Sequence, residues 1–300
     1  MRVDPSYTTN LVGALDQAQL NSQQLSSELS SGVRVTSLSS DPLAAGENVL
    51  LLNQMLQDDS FTQSSSLVSG QLQVADSALG QVVGQLTQAV SLATSANNGT
   101  MNASDRQSIA NQIAGIRAEV LALANSSYQG QYIFAGSINS SAPFTLSATT
   151  PATVTYSGDQ NVNYLKTPNG QRIQLNVPGS QIFSGAGANN VFAALNSLVA
   201  DYSTSATDTA QAVSDTTALG SALNFVSQQR VSIDNSLTQI TAASNAVSSE
   251  QTQLTAAQTS LMQADVAKVA TQLSLSETQQ TALEDVIAQI GSGSLFDKLH

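Results

Sequence analysis

Nucleophilic, acid–base and metal-ligand chemistry lean on cysteine and histidine, and this 300-residue chain has no cysteine and one histidine, His300. Ser–His–Asp and Cys–His constellations are thereby excluded, along with zinc sites built from those ligands. Carboxylates remain, and Asp58-Asp59 is an adjacent pair of them. An acid/base dyad needs surroundings that push its two pKa values apart. None accompanies this pair, which reads as a solvated helix face. Gly185-Ala186-Gly187 lacks the further glycine of a phosphate cradle and reads as a loop. Tyr132 and Phe134 read as packing for a short strand rather than a ligand site. No catalytic residue, metal ligand or cofactor is expected, because the convergent titratable groups of an enzyme are missing.

Composition points the same way. Only 10% of residues are charged, against about 25% in an average soluble domain, so Ser, Thr, Gln and Asn must coat the surface. Nine Lys+Arg face 21 Asp+Glu, a net charge of -12, which leaves no basic face for nucleic acid. With 4% aromatic residues, packing falls to Leu, Ile, Val and Ala. Apolar runs such as Val49–Leu52 are far shorter than the roughly 18 residues of a membrane span. The opening MRVDPSYTTNLVG has no apolar h-region. Neither membrane insertion nor cleaved-signal export is expected, which leaves the cytoplasm or export by another machine.

Helices must position whatever surface the chain uses. Of the six prolines, Pro143, Pro151, Pro168 and Pro178 share one central stretch, and residues 43–142 and 179–300 hold none. Proline breaks helix interiors, so two long helical arms should flank a different central module. Asp4-Pro5 and Asp41-Pro42 read as N-cap plus first helical residue, placing helix starts near 5 and near 42. Ser104-Asp105-Arg106-Gln107 reads as a capping box, after a turn at 97–100.

Periodicity is the strongest signal. Leu11, Leu15, Ala18, Ser22, Leu25 and Leu29 alternate in steps of four and three, as do Leu72, Ala75, Leu79, Val82, Leu86, Ala89, Ala93 and Ala96. Ile109, Ile113, Ile116, Val120 and Leu123 repeat the pattern, and the longest seam runs from Ala212 to Leu261. Such spacing is the 3.5-residue repeat of a coiled-coil seam, and a helix over 209–261 would be about 80 Å long. Arg230 falls on a core position of this seam, where a snorkelling guanidinium bridging to a carboxylate is expected. The last seam is Val266, Val269, Leu273, Ser276, Gln280, Leu283, Ile287 and Ile290. It is shifted in phase by one residue, which predicts a joint near 262–266. A second joint is the polar stretch from Ser30 through Asp41, where Gly32 reads as a helix C-cap or hinge.

Between the arms the period becomes two. Ile173, Leu175 and Val177 alternate with Gln174 and Asn176, and Val154 and Tyr156 with Thr153 and Thr155. Pro168-Asn169-Gly170 is a turn that should join 161–167 to 171–177 as a hairpin. The fold class expected is mainly α: a long antiparallel coiled-coil or helical-bundle rod formed by both chain arms, with a small inserted all-β module. Residues 1–35 and 266–300 would form a terminal layer, 36–130 and 189–265 a helical rod, and 131–188 the insert. The rod seams read as an intramolecular core. The terminal seams can satisfy each other only weakly, and so read as an assembly surface, mobile in the free chain and ordered on assembly. That surface comprises Leu11, Leu15, Ala18, Leu25, Leu29, Val266, Val269, Leu273, Leu283, Ile287, Ile290 and Leu295.

Leu29-Ser30-Ser31-Gly32-Val33-Arg34, followed by Asp41-Pro42-Leu43-Ala44-Ala45-Gly46, resembles the "LSSGxR…DPAAA" signature of the bacterial flagellin superfamily. Gly130-Gln131-Tyr132-Ile133-Phe134-Ala135-Gly136 with Pro143-Phe144, and Tyr156-Ser157-Gly158-Asp159 after it, are similar to segments of that superfamily's hook–filament junction branch rather than its filament subunits. The resemblance implies a secreted structural protein of the flagellum, exported unfolded by the flagellar type III apparatus. It also implies a ring of identical subunits, and as partners the other hook-associated junction protein, flagellin and a cytoplasmic export chaperone. A bulk filament subunit is the alternative, and another secreted helical tip or structural protein a more distant one.

Overall fold

The computed structural model describes residues 5–97, 101–148, 152–185, 187–204 and 209–292. It is mainly α, as the periodicities require. Helices α1 (Pro5–Ser31), α2 (Pro42–Ala96) and α3 (Ala103–Ala124) come first, and α5 (Val191–Ser203), α6 (Thr209–Met262) and α7 (Val266–Ser292) close the chain. Between them lie three antiparallel strand pairs and the five-residue α4 (Gly179–Phe183). Both proline-marked helix starts fall where expected. Asp41 Oδ1 accepts from Ala44 N at 3.1 Å, the N-cap bond of α2. The start of α3 differs: its cap is Asn102, two residues before Ser104, and its side chain accepts from Asp105 N at 2.8 Å.

The chain divides into two compact units, residues 57–248 and residues 1–56 with 249–300. In the first, the core follows the seams closely. Leu72, Ala75, Leu79, Val82, Leu86, Ala89, Ala93 and Ala96 of α2 are all buried, with Ile109, Ile113, Ile116 and Val120 of α3. On α6 one row of buried positions recurs every seven residues, Ala212, Leu219, Val226, Ile233, Ile240 and Val247, with Ala222 and Ser236 buried beside it. Arg230 lies half-exposed on the same seam and grips Asp76, Nε to Oδ1 at 2.5 Å and Nη2 to Oδ2 at 3.1 Å. This two-pronged pair is the carboxylate bridge its position called for. Asp58, read as solvated, is instead completely covered, while Asp59 is exposed. Helical geometry turns the two side chains about 100° apart, so adjacent residues cannot share a face.

Helix α5 packs on α3. Its Val191, Phe192, Leu195, Leu198 and Tyr202 are buried, and Tyr202 Oη lies 3.0 Å from Ala93 O and 2.9 Å from Asn97 Oδ1. The inserted stretch pairs β3 (Phe144–Leu146) with β4 (Val154–Tyr156), and β5 (Tyr164–Lys166) with β6 (Arg172–Gln174). Gly170, at φ +89°, turns the latter hairpin and donates to Thr167 O at 2.9 Å. A third hairpin, β1 (Ser127–Tyr128) with β2 (Gln131–Tyr132), turns through Gln129 and Gly130, both at positive φ as a type I′ turn requires. The stretch is thus not all β: α4 follows Pro178, with Ile182 and Phe183 buried.

Candidate assembly site

In the second unit α1 packs on α7. The apolar stripes meet antiparallel around a polar layer. Ser22 Oγ donates to Ser276 Oγ at 2.9 Å, and Gln280 Nε2 donates to Ala18 O at 2.8 Å and Ser22 Oγ at 2.6 Å. Ser276, only 3% exposed, also donates toward Ala18 O at 3.3 Å. This register sets Leu25 level with Leu273 and Leu29 with Val269 to one side, and Leu15 with Leu283 and Leu11 with Ile287 to the other. On the first side Leu25, Val269 and Ala264 are buried, with Leu29 and Leu273 packed on them. On the second, Leu11, Leu15, Leu283, Ile287 and Ile290 are half-buried, and a groove of about 760 Å³ opens between Ala14, Ala18, Leu283 and Val286. Val266 departs from the expected stripe: it is 52% exposed, and Ala264 takes the covered position before it. Leu295 lies outside the described residues.

Both joints sit side by side at the buried end. Gly32 ends α1 at φ +69°, its N–H donating to Glu28 O at 2.9 Å, which makes it the C-cap. Val33 then pairs with Gln263 in an antiparallel bridge, while Arg34 N donates to Met262 O at 2.7 Å and Ala264 N to Gly32 O at 2.9 Å. The Arg34 guanidinium clasps two helix ends at once. Nη1 meets Asp41 Oδ2 at 2.8 Å, and Nη2 meets Leu261 O at 3.1 Å in the last turn of α6, where the helix dipole favours a cation. The Ala44 N–H, and after it the Arg34 side chain, hold the Asp41 carboxyl below the ordinary aspartate pKa. Gly32, Arg34, Asp41 and Pro42 thus act together as one fastening.

Residues 130–148 and 152–159 form a second knot, and it too is structural. Ile133, Phe134, Ala135 and Gly136 are buried, and Phe134, Phe144, Phe183 and Phe192 (four of the seven phenylalanines) pack ring to ring at centroid distances of 5.4–5.9 Å. Gly136 lies at φ +77° where any Cβ would strike Asp159. The Asp159 carboxylate accepts from the Ser137 hydroxyl, from Ser137 N at 2.8 Å and from Asn161 N at 3.1 Å, and these bonds, the Ser137 hydroxyl foremost, lower its pKa. Tyr156 Oη lies 2.7 Å from Asp159 O, and burial raises its pKa. Sequence reasoning passed over Asn125, whose amide pairs both ways with Phe144, Nδ2 to O and N to Oδ1, each at 2.9 Å. No periodicity marks such a residue. It passed over several exposed apolar residues as well: Leu38, Leu43, Val49, Leu50 and Leu56, with Leu43 74% and Leu50 70% exposed.

Residues 7–139 match the family described as the bacterial flagellin N-terminal helical region. Over that stretch, which is less than half of the chain, it is similar to the flagellins. It is 31% identical over 186 residues to flagellar hook-associated protein 3 of Salmonella typhimurium, an alignment covering 62% of this chain and 57% of the relative. With flagellar hook-associated protein 3 of Escherichia coli it shares 33% identity over 139 residues, 46% of this chain and 44% of that one. The chain thus spans about half the length of the curated relatives it matches. A flagellar hook-associated protein from Vibrio parahaemolyticus has the same fold, with TM-score 0.66 at 17% identity, over 74% of this chain and 99% of the other. A flagellar junction protein from Legionella pneumophila superposes with TM-score 0.58 at 13% identity, over 72% and 99%. Among the described residues no helix is long and apolar enough to cross a membrane.

Proposed function

We propose that this protein is a structural subunit of the bacterial flagellum, sited at the hook–filament junction, where it joins the hook, through the other hook-associated protein, to the flagellin filament. The observation that carries the reading is the 62% of the chain that aligns with hook-associated protein 3, a stretch long enough to need more than the superfamily's N-terminal helical region. The family is structural rather than enzymatic. Residues 1–35 and 266–300 form the terminal layer through which subunits assemble, 36–130 and 189–265 a helical body, and 131–188 an outward module. Partners are identical subunits in a ring, the other junction protein, flagellin, and a cytoplasmic export chaperone that receives α7. Half-buried Leu283, Ile287 and Ile290 support such pairing, since an amphipathic helix is marginal until its stripe is covered. A chain with no cysteine also suits unfolded passage through an export channel without cross-linking.

Immuno-labelled electron microscopy of flagella tests the placement. A single band at the hook–filament boundary is expected. Label along the whole filament makes the protein a filament subunit instead, and flagella of normal length and attachment in a deletion strain overturn the junction role.

A further inference from the structure

The β5–β6 hairpin carries a charge opposite to that of the chain as a whole. Residues 160–200 hold no Asp or Glu, although the net charge of the protein is -12. Lys166 and Arg172 are the cations of that stretch, and the strand register sets them directly opposite each other. Thr167 N donates to Gln171 O at 2.9 Å and Leu175 N to Asn163 O at 2.8 Å. Bonded and unbonded pairs alternate from there, so Tyr164–Gln174 and Lys166–Arg172 are the non-hydrogen-bonded pairs, whose side chains stand closest. Leu165 and Ile173 take the other face, where Ile173 is buried in the core. Like charges directly opposite repel, yet among the described residues neither Lys166 nor Arg172 is in an ion pair. Arg172 lies over the Tyr164 ring instead, its guanidinium carbon 4.3 Å from the centroid, which holds the fork in place. Tyr164 is itself 48% exposed, and Gln174 is engaged elsewhere, its Nε2 donating to Asn176 O at 2.9 Å.

We infer that this face of the hairpin binds the carboxylate of a uronic-acid sugar in an acidic polysaccharide. A planar carboxylate meets the Arg172 fork with two bonds, and Lys166 adds a second cation on the facing strand. The exposed part of the Tyr164 ring offers its negative face to the C–H groups of the sugar ring. Size separates this occupant from a protein. The paired strands frame about 7 Å by 5 Å of backbone, far less than the ~800 Å² per partner that a stable protein contact covers. One sugar ring fits that frame. At physiological salt charges act over about 8 Å, so the acid-free stretch governs the encounter rather than the net charge. The inference rests on the hairpin alone and stands whether or not the flagellar reading does.

Amide chemical shifts of the isotope-labelled full-length chain, titrated with trigalacturonate and with neutral maltotriose, decide it. Trigalacturonate should move the amides of 163–175 and spare those of α2 and α6, and maltotriose should move none. Shifts scattered over the surface, or equal shifts with maltotriose, overturn the inference. The double variant Lys166→Gln, Arg172→Gln removes a repulsion and should keep its melting temperature while binding trigalacturonate at least tenfold more weakly. Unchanged affinity overturns the site. Tyr164→Ala should weaken binding at least threefold, and no change there counts against the ring contact. A triglutamate peptide should bind at least threefold more weakly than trigalacturonate, because it has the carboxylates without the sugar ring. Equal affinity for the two overturns the sugar assignment.

Discussion

Leu25 and Leu20 offer a matched test of whether the terminal helices are held by their seam. Both are leucines on α1, yet Leu25 is 7% exposed among Val269, Ala264, Leu29 and Leu273, while Leu20 is 60% exposed. Leu→Ala in a core removes about 2–5 kcal/mol, the larger values where the site cannot collapse. Two helices flanked by solvent can close on a missing side chain, so the lower end applies and Leu25→Ala should weaken the pair by about 2 kcal/mol. At about 1.4 kcal/mol per tenfold, that is a thirtyfold rise in the open fraction. Leu20→Ala should stay within about 0.5 kcal/mol, as surface changes do. Exchange of the amides of 25–31 measures the open fraction directly, and circular dichroism reports the helix lost. The core of residues 57–248 contains neither side chain, so its main thermal transition should stay put in both variants. Equal effects of the two substitutions would refute the seam as the source of the pairing, as would a fall of the main transition with Leu25→Ala.

Four further outcomes follow from named contacts. Deleting residues 266–300, or placing Leu283→Asp with Ile287→Asp in a seam that disfavours charge, should leave a folded core that cannot join flagella; restored swimming would contradict this. Phe144→Ala removes the ring shared by Tyr156, Phe183 and Phe192 and should lower stability in urea by about 3–5 kcal/mol. Arg117 is partly buried, with Nη1 on Asn196 Oδ1 at 2.7 Å and Nε without a hydrogen-bond partner, and burial lowers its pKa. Arg117→Met should therefore leave the melting temperature unchanged or raise it, whereas Asn196→Leu, which orphans the guanidinium, should lower stability by about 1–3 kcal/mol. Burial raises the pKa of Tyr202 and Tyr156 above the ordinary phenol value of 10.0. Their neutral forms stabilise the fold fully below pH 10 and that stability fades as pH rises through the raised values, so ultraviolet titration should show two late-titrating tyrosines coupled to alkaline unfolding.

Much of the helical architecture was legible because it is written in a repeat. Starts at Pro5 and Pro42, the phase break before Val266 and the every-seventh burial from Ala212 to Val247 need only one chain's own spacing. Helix α5 was legible in principle, in the buried spacing of Val191, Leu195, Leu198 and Tyr202 and the Asn190 cap, but short helices are easily lost between longer seams. Asp58 misled for a different reason. Composition says carboxylates belong in water, and only the neighbours of a helix face decide which of two adjacent acids is covered.

The candidate site divides the same way. Sequence alone determined the stripes of α1 and α7, the two joints and the signature from Leu29 to Ala45, since local spacing and glycine and proline chemistry carry them. The tertiary structure decided that Gly32, Arg34 and Asp41 form one fastening with Leu261 and Met262. It also decided that Ser22 meets Ser276 and Gln280, and that Leu43 and Leu50 remain bare. Those facts depend on register between segments far apart in the chain. A heptad seam repeats itself every seven residues, so spacing alone offers many alignments, and polar bonds and joint geometry select one.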